Sequence, residues 1–230
     1  MIDLLQNIDA EILLTINGWH SAFADFFMKA ASGKMIWVPL YVAVFYTFIR
    51  KYGWKKAVAL AIMIGIIITA VDQTCASVIR PYFQRMRPSN AENPLSAMVH
   101  LVNGYRGGSY GFPSCHAANT FALTVAVFLI TRNKLITCIM IAWASLNCYS
   151  RMYLGVHYPG DILVGAVTGS AIAFVIYSLY VCIAAKISSV SCREVRKGMI
   201  QTHRTAPMPI GIVFALSVLG LFIYATVMVL

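Results

Sequence analysis

The sequence predicts an all-α polytopic membrane protein with six transmembrane helices and an N-terminal amphipathic interfacial helix. Two observations carry this. Of 230 residues, 60% are hydrophobic and only 11% are charged, whereas a water-soluble chain of this length must cover its surface with polar side chains. The apolar residues also gather into six runs close to bilayer length, with polar or basic segments between them. The chain reads as a single membrane-embedded domain over 1–230, with no sequence repeat and no low-complexity tract.

Residues 1–30 form an amphipathic N-terminal segment. Ile2, Leu5, Ile8, Ile12 and Ile16 recur at helical spacing with acids between them, the pattern of a helix lying on a membrane surface. Asp3, Asp9 and Glu11 stand where a cleaved signal peptide would carry basic residues, so none is expected. The first span covers Met35–Ile49, and a second covers Ala57–Ile79. A polar outer loop, 80–113, is rich in Pro, Gly, Asn and Arg, and irregular backbone is expected there. Ser114–Thr131 and Leu135–Ser150 form a hairpin of third and fourth spans, both slightly short for a full crossing. Pro159 suits a first helical turn and opens a fifth span to Ala185. A basic loop, 186–204, leads to a sixth span over Met208–Leu230. Trp19, Trp37 and Trp54 near span ends read as interface anchors.

The net charge of +10 does not point to nucleic acid, because the basic residues sit in short loops where they set topology. Arg50, Lys51, Lys55, Lys56, Arg132, Lys134, Lys186, Arg193, Arg196, Lys197 and Arg204 follow spans one, three and five; these are eleven of the eighteen Lys and Arg. Those loops are expected in the cytoplasm. The opposite, outer face then holds three polar clusters. Cys75, Cys138, Cys148 and Cys182 lie inside apolar runs, where free cysteine behaves as a small hydrophobe, and no cysteine spacing marks a zinc site or disulfide framework.

The first cluster is Arg80-Pro-Tyr-Phe-Gln-Arg-Met-Arg87-Pro88, the second Phe112-Pro113-Ser114-Cys115-His116, and the third Ser150-Arg151 through His157 to Asp161. Arg80, Arg87 and Arg151 bring three guanidiniums to one membrane face, each with donors that match phosphate oxygens in pairs. Any one alone reads as a headgroup anchor; three without a carboxylate repel one another unless an anion lies between them. Ser114 stands where a helix N-cap belongs, and free N–H groups there favour an anion. Asp161 follows His157 by four residues, so its carboxylate can fix the imidazole tautomer and leave the other nitrogen nucleophilic. Asp72, an acid inside a span, is a candidate for orienting these groups or for a structural hydrogen bond. Arg106, flanked by glycines in the outer loop, is a candidate headgroup contact.

This pattern resembles the type-two phosphatidic acid phosphatases, which share a core with the vanadium haloperoxidases and glucose-6-phosphatase. Their signature is Lys-x6-Arg-Pro, Pro-Ser-Gly-His and Ser-Arg-x5-His-x3-Asp. The chain reads Arg80-x6-Arg87-Pro88, Pro113-Ser114-Cys115-His116 and Ser150-Arg151-x5-His157-x3-Asp161, agreeing in order and in every internal spacing. Arg80 and Cys115 depart from the lysine and glycine. Cys115 does not read as a nucleophile of the Cys-x5-Arg kind, because Phe121 stands where the arginine would be.

The resemblance implies a lipid phosphatase that needs no metal or other cofactor. His157 would attack phosphorus, Asp161 would orient it, and His116 would protonate the leaving oxygen. Arg80, Arg87, Arg151, Ser114 and the Cys115 backbone N–H would bind the phosphate. The expected substrate is a lipid phosphate or diphosphate: a lipid A phosphate, undecaprenyl diphosphate, phosphatidylglycerol phosphate or phosphatidate. The expected location is the cell (inner) membrane, with the site facing the periplasm or outside. Phosphoryl transfer at the same site, and a non-catalytic lipid-binding or flipping protein, are the alternatives.

Overall fold

The computed structural model describes residues 2–201 and 207–230, and every regular element among them is helical. In chain order these are α1 (Ile2–Gly18), α2 (Ala22–Ala31), α3 (Val38–Tyr52), α4 (Trp54–Gln73), α5 (Arg80–Phe83), α6 (Cys115–Thr131), α7 (Lys134–Tyr153), α8 (Pro159–Ile187), α9 (Cys192–Gln201) and α10 (Met208–Val229). A π-helical stretch, Thr74–Ile79, joins α4 to α5, so one helical rod runs Trp54–Phe83. The predicted outer loop therefore begins four residues late, because Arg80 still sits on helix. The basic segment expected as a loop is helical in α9; Arg204 lies outside the described residues.

Trp54–Phe83, Pro159–Ile187 and Met208–Val229 are long and apolar enough to cross a bilayer. The pair Ala22–Ala31 and Met35–Tyr52, bent by 67°, makes a fourth if taken as one span. Helices α6 and α7 occupy the third and fourth predicted spans. The first has 17 residues, and the second carries Lys134 and Arg151 near its ends and Asn147 and Ser150 inside.

Central in the bundle, α6 packs on α8, α7 and α4, and α10 covers α2, α3 and α7. The α6–α8 contact is backbone-close. A Cβ at Gly165 would strike the Ser114 carbonyl, and one at Gly169 would strike that of Ala118. Small residues one turn apart permit such an approach. It sets the beginnings of α6 and α8 side by side, and the Ser114 N–H donates to the Asp161 carbonyl at 3.0 Å.

Two expectations are corrected here. Trp37 is not an interface anchor: it is buried, donates its indole N–H to the Ala31 carbonyl at 2.8 Å and packs against Trp143 and Phe214. Trp19 and Trp54 are exposed as anchors should be. Lys51 is buried and donates to the Thr131 carbonyl at 3.0 Å, closing the C-terminus of α6 rather than standing free in a loop.

The N-terminal segment holds α1, over the residues whose spacing is helical, and a second helix, α2. On α1, Leu5, Ile8 and Ile12 are exposed while Leu13 and Asn17 are buried. Asn17 donates to the carbonyls of Tyr153 (2.7 Å) and His100 (3.0 Å) and accepts from the His100 N–H (2.7 Å). Asp25 of α2 accepts from the Tyr153 hydroxyl at 2.6 Å and lies 2.9 Å from His100 Nε2. These polar contacts dock α1 and α2 on the end of the bundle that carries the three clusters.

Candidate active site

The three clusters converge at one end of the bundle. The end of the α4–α5 rod brings Arg80, the α6 N-terminus brings Ser114, Cys115 and His116, and the α7–α8 turn brings Arg151, His157 and Asp161. Gly155 makes that turn, with φ +66, and a side chain there would run into Val99. Residues 85–87 and 109–111 pair across the site: Arg87 N–H donates to Ser109 at 3.1 Å, and Gly111 N–H to Arg85 at 2.8 Å. Gly111 presses on His157 and Asp161, since a Cβ there would lie 3.1 Å from Asp161 Oδ2 and 3.5 Å from His157 Nδ1.

His157 is buried. Its Nε2 lies 2.8 Å from Arg87 Nη1, and its Nδ1 lies 3.4 Å from Asp161 Oδ2. A guanidinium only donates, so Nε2 carries the lone pair and Nδ1 the proton, directed at Asp161. In this tautomer Nε2 is free to act as a nucleophile. Burial, reinforced by Arg87, Arg151, Arg80 and His116, holds His157 well below the usual histidine range, so the ring is neutral at physiological pH. The 3.4 Å separation is at the limit of a hydrogen bond.

Asp161 is held more firmly by others. It accepts from the Tyr158 N–H at 3.0 Å and from Arg85 Nη1 at 2.9 Å. The same Arg85 reaches Asp9 Oδ2 of α1 at 2.6 Å and lies over the Tyr158 ring at 4.0 Å. Asp9 also accepts from the Gly160 N–H at 2.6 Å.

The cations surround His157. Arg87 also donates to the Val156 carbonyl at 2.9 Å. Burial, then Arg151 and Arg80, push its pKa down to about 10, and it remains charged at neutral pH. Arg151 donates to Ser32 Oγ at 2.6 Å and to the Tyr105 hydroxyl at 3.5 Å. Arg80 turns to the Pro113 carbonyl (3.2 Å) and to Cys115 Sγ (2.9 Å), so the two departures from the family signature touch each other. The Nε atoms of Arg80, Arg87 and Arg151 are all buried without a protein partner. Mutually repelling cations with unmatched donors can hold an anion between them. Ser114 accepts from the Ala117 N–H at 3.3 Å, which caps α6 and leaves its own hydroxyl proton to donate.

Arg106 is not brought to this cluster. Its guanidinium bonds the Ser89 carbonyl and Ser96 Oγ, each at 2.7 Å, and clamps the outer loop. Asp72 accepts from Asn119 at 3.3 Å, tying α4 to α6 instead of orienting His157. Asp9, Arg85, Ser32 and Tyr105 join the site without having been singled out in the sequence. Arg85 alone offered a signal, as a further arginine between Arg80 and Arg87.

The arrangement joins a neutral imidazole with a free lone pair to a carboxylate on one side and guanidiniums on the other. Among the described residues no group of three His, Cys, Asp or Glu could hold a metal ion. The PAP2 superfamily profile matches residues 56–183, and the chain belongs to that superfamily. It is 43% identical over 189 residues to a lipid A 4'-phosphatase of Bacteroides thetaiotaomicron, covering 82% of this chain and 84% of that protein. It is 30% identical over 191 residues to a lipid A 4'-phosphatase of Porphyromonas gingivalis, covering 83% and 80%. The fold is similar to that of a PAP2-type phosphatidylglycerolphosphate phosphatase from Bacillus subtilis, with a TM-score of 0.56 at 21% identity, covering 76% of this chain and 86% of that one.

Proposed function

We propose that the protein is a membrane lipid phosphatase that removes a phosphate from lipid A, the 4'-phosphate above all, through a phosphohistidine intermediate. The observation that carries the chemistry is His157 itself: a buried neutral imidazole whose lone pair faces Arg87 at 2.8 Å and whose N–H faces a carboxylate. The two lipid A 4'-phosphatases above support the substrate.

In the first step Arg87 exchanges its contact with Nε2 for a phosphate oxygen, and Nε2 attacks phosphorus. Arg80, Arg87, Arg151 and Ser114 hold the equatorial oxygens, where charge collects in the transition state. His116 gives a proton to the leaving sugar oxygen. It then takes one from water, whose oxygen attacks the phosphohistidine and releases inorganic phosphate. Asp161 keeps Nδ1–H pointed away from phosphorus throughout.

The reading places six crossings in the inner membrane, by α3, α4, α6, α7, α8 and α10, with the site outward. The exposed Leu5, Ile8 and Ile12 of α1 would rest in the outer headgroup layer.

The test is inorganic phosphate release by detergent-purified protein from lipid A, undecaprenyl diphosphate, phosphatidylglycerol phosphate and phosphatidate, with His157→Ala alongside. Release from lipid A that vanishes in the variant is expected. Equal release by the variant would refute the phosphohistidine, and preferential release from another lipid would refute the substrate.

A further inference from the structure

The segment 103–109 runs alongside the arginines. Its chain turns on Gly104 and Gly107, at φ +69 and +70. It passes so close to Arg87 that a Cβ on Gly107 would lie 3.4 Å from Arg87 Cδ and Nε. Arg106 fastens the segment. Its Nη1 donates to the Ser89 carbonyl and to Ser96 Oγ, each at 2.7 Å, and its own carbonyl accepts from Ser89 Oγ at 2.6 Å. Ser89 is fully buried, so the anchor is set in the body of the loop. Glycine-rich chain loses much freedom on ordering, and the bonds at Arg106 offset that cost.

The residue this clamp presents is Tyr105. Arg151 directs Nη1 to Ser32 Oγ at 2.6 Å and Nη2 to the Tyr105 hydroxyl at 3.5 Å. The first bond is short and buried and holds the guanidinium. The second lies at the limit of a hydrogen bond, and Arg151 Cζ stands 5.9 Å from the Tyr105 ring centre, at the limit of a cation–π contact. Neither ties Tyr105 down. A guanidinium only donates, so Tyr105 Oη accepts there and the phenol proton is left over. Among the described residues it has no protein acceptor. Burial raises the phenol, but the bond to Arg151 and the charges of Arg151 and Arg87 outweigh it and leave it below the ordinary tyrosine range.

We propose that Tyr105 is a further catalytic residue, a neutral donor that binds the substrate phosphate beside Arg151, and that Arg106 is the positioning residue that holds it there; the proposal rests on the phosphatase reading above. A phosphate oxygen entering between Arg87 and Arg151 takes Arg151 Nη2 from the phenol and accepts a hydrogen bond from the phenol O–H. No proton changes hands. The bond strengthens as charge collects on the oxygens in the transition state. A neutral donor suits this place, because Arg80 and Arg151 already repel Arg87 and a further cation would add to that repulsion. The glycine-flanked Arg106 thus serves the phosphate through its neighbour.

The test is Tyr105→Phe, which keeps the ring and removes only the hydroxyl. Two quantities are read on the detergent-purified protein: kcat/KM for phosphate release from the preferred lipid, and the Kd of orthovanadate by calorimetric titration. Orthovanadate takes up the five-coordinate geometry of the transition state and needs no turnover. Both affinity and kcat/KM should fall about tenfold or more, the worth of one hydrogen bond to a charged group, with Tm unchanged. Arg106→Ala should cause a similar loss in the wild type and little further loss in Tyr105→Phe. Wild-type kcat/KM and vanadate affinity in Tyr105→Phe would overturn the proposal and leave the phosphatase reading intact. A loss confined to kcat/KM, with vanadate bound as before, would also overturn it. Full additivity of the two substitutions would remove Arg106 from its role. If the wild type releases phosphate from no lipid while the hydroxyl still governs vanadate affinity, the phosphatase reading fails and Tyr105 stands as an oxyanion ligand.

Discussion

Arg85 joins two carboxylates that lie far apart in sequence, with Nη1 2.9 Å from Asp161 Oδ1 and Nη2 2.6 Å from Asp9 Oδ2. One guanidinium thus links the first helix of the chain to the dyad that orients His157. Asp9 doubles the link by accepting from the Gly160 N–H.

Asp9→Asn and Arg85→Ala should therefore lower kcat with little change in KM, since neither residue reaches the substrate phosphate. Hydrogen bonds to charged groups contribute about 1.5–3 kcal/mol, so a loss of roughly 10–100-fold is expected. Arg85→Lys should recover part of it. Steady-state kinetics on the preferred lipid give the split, and a pure KM effect would exclude a positioning role.

His157 should make stability depend on pH. Its folded-state pKa lies well below 6.5, so below pH 6.5 the unfolded chain binds a proton that the folded chain does not. Stability then rises with pH through that region. Thermal unfolding should show Tm falling as pH drops from 7 toward 5, with a shallower slope in His157→Gln. The same shift predicts that His157 remains a competent nucleophile below the usual histidine range.

Arg80 and Cys115 should be energetically coupled, because Arg80 Nη2 lies 2.9 Å from Cys115 Sγ. Arg80→Lys and Cys115→Gly should each reduce kcat/KM, and the double variant should lose less than their sum. A coupling of about 0.5–3 kcal/mol is typical of residues in contact. Strict additivity in the double-mutant cycle would mean that the contact is idle.

Gly169→Ala should destabilise the fold, since the added methyl meets the Ala118 carbonyl. Overpacking of this kind costs about 1–3 kcal/mol. Activity should fall along with Tm, because the α6–α8 contact holds Ser114 against Asp161. A thermal scan in detergent paired with an activity assay checks both.

The apolar runs and the three motifs revealed the helical architecture and the groups that meet at one end of it, because helix spacing and local order are written in neighbouring residues. Two kinds of information were not local. Asp9 and Ser32 belong to the N-terminal helices, and only the docking of those helices through Asn17 and Asp25 brings them to the site. Nothing in their own neighbourhoods distinguishes them from ordinary surface residues. Trp37 has the setting of an interface anchor and Lys51 that of a loop cation, yet the packing of α10 over α3 and the open end of α6 draw them inside. Arg106, a candidate headgroup contact in the sequence, is held by Ser89 and Ser96 within its own loop.

The Asp9–Gly160 contact joins residues 151 positions apart. Translation proceeds at roughly 5–20 residues per second, so Asp9 is added to the chain on the order of 8–30 s before its partner. Through that interval the early helices are already synthesised, but the carboxylate, the guanidinium and the imidazole are not yet assembled. Competence thus arrives late and all at once, when the start of α8 is delivered to a helix that has been waiting for it.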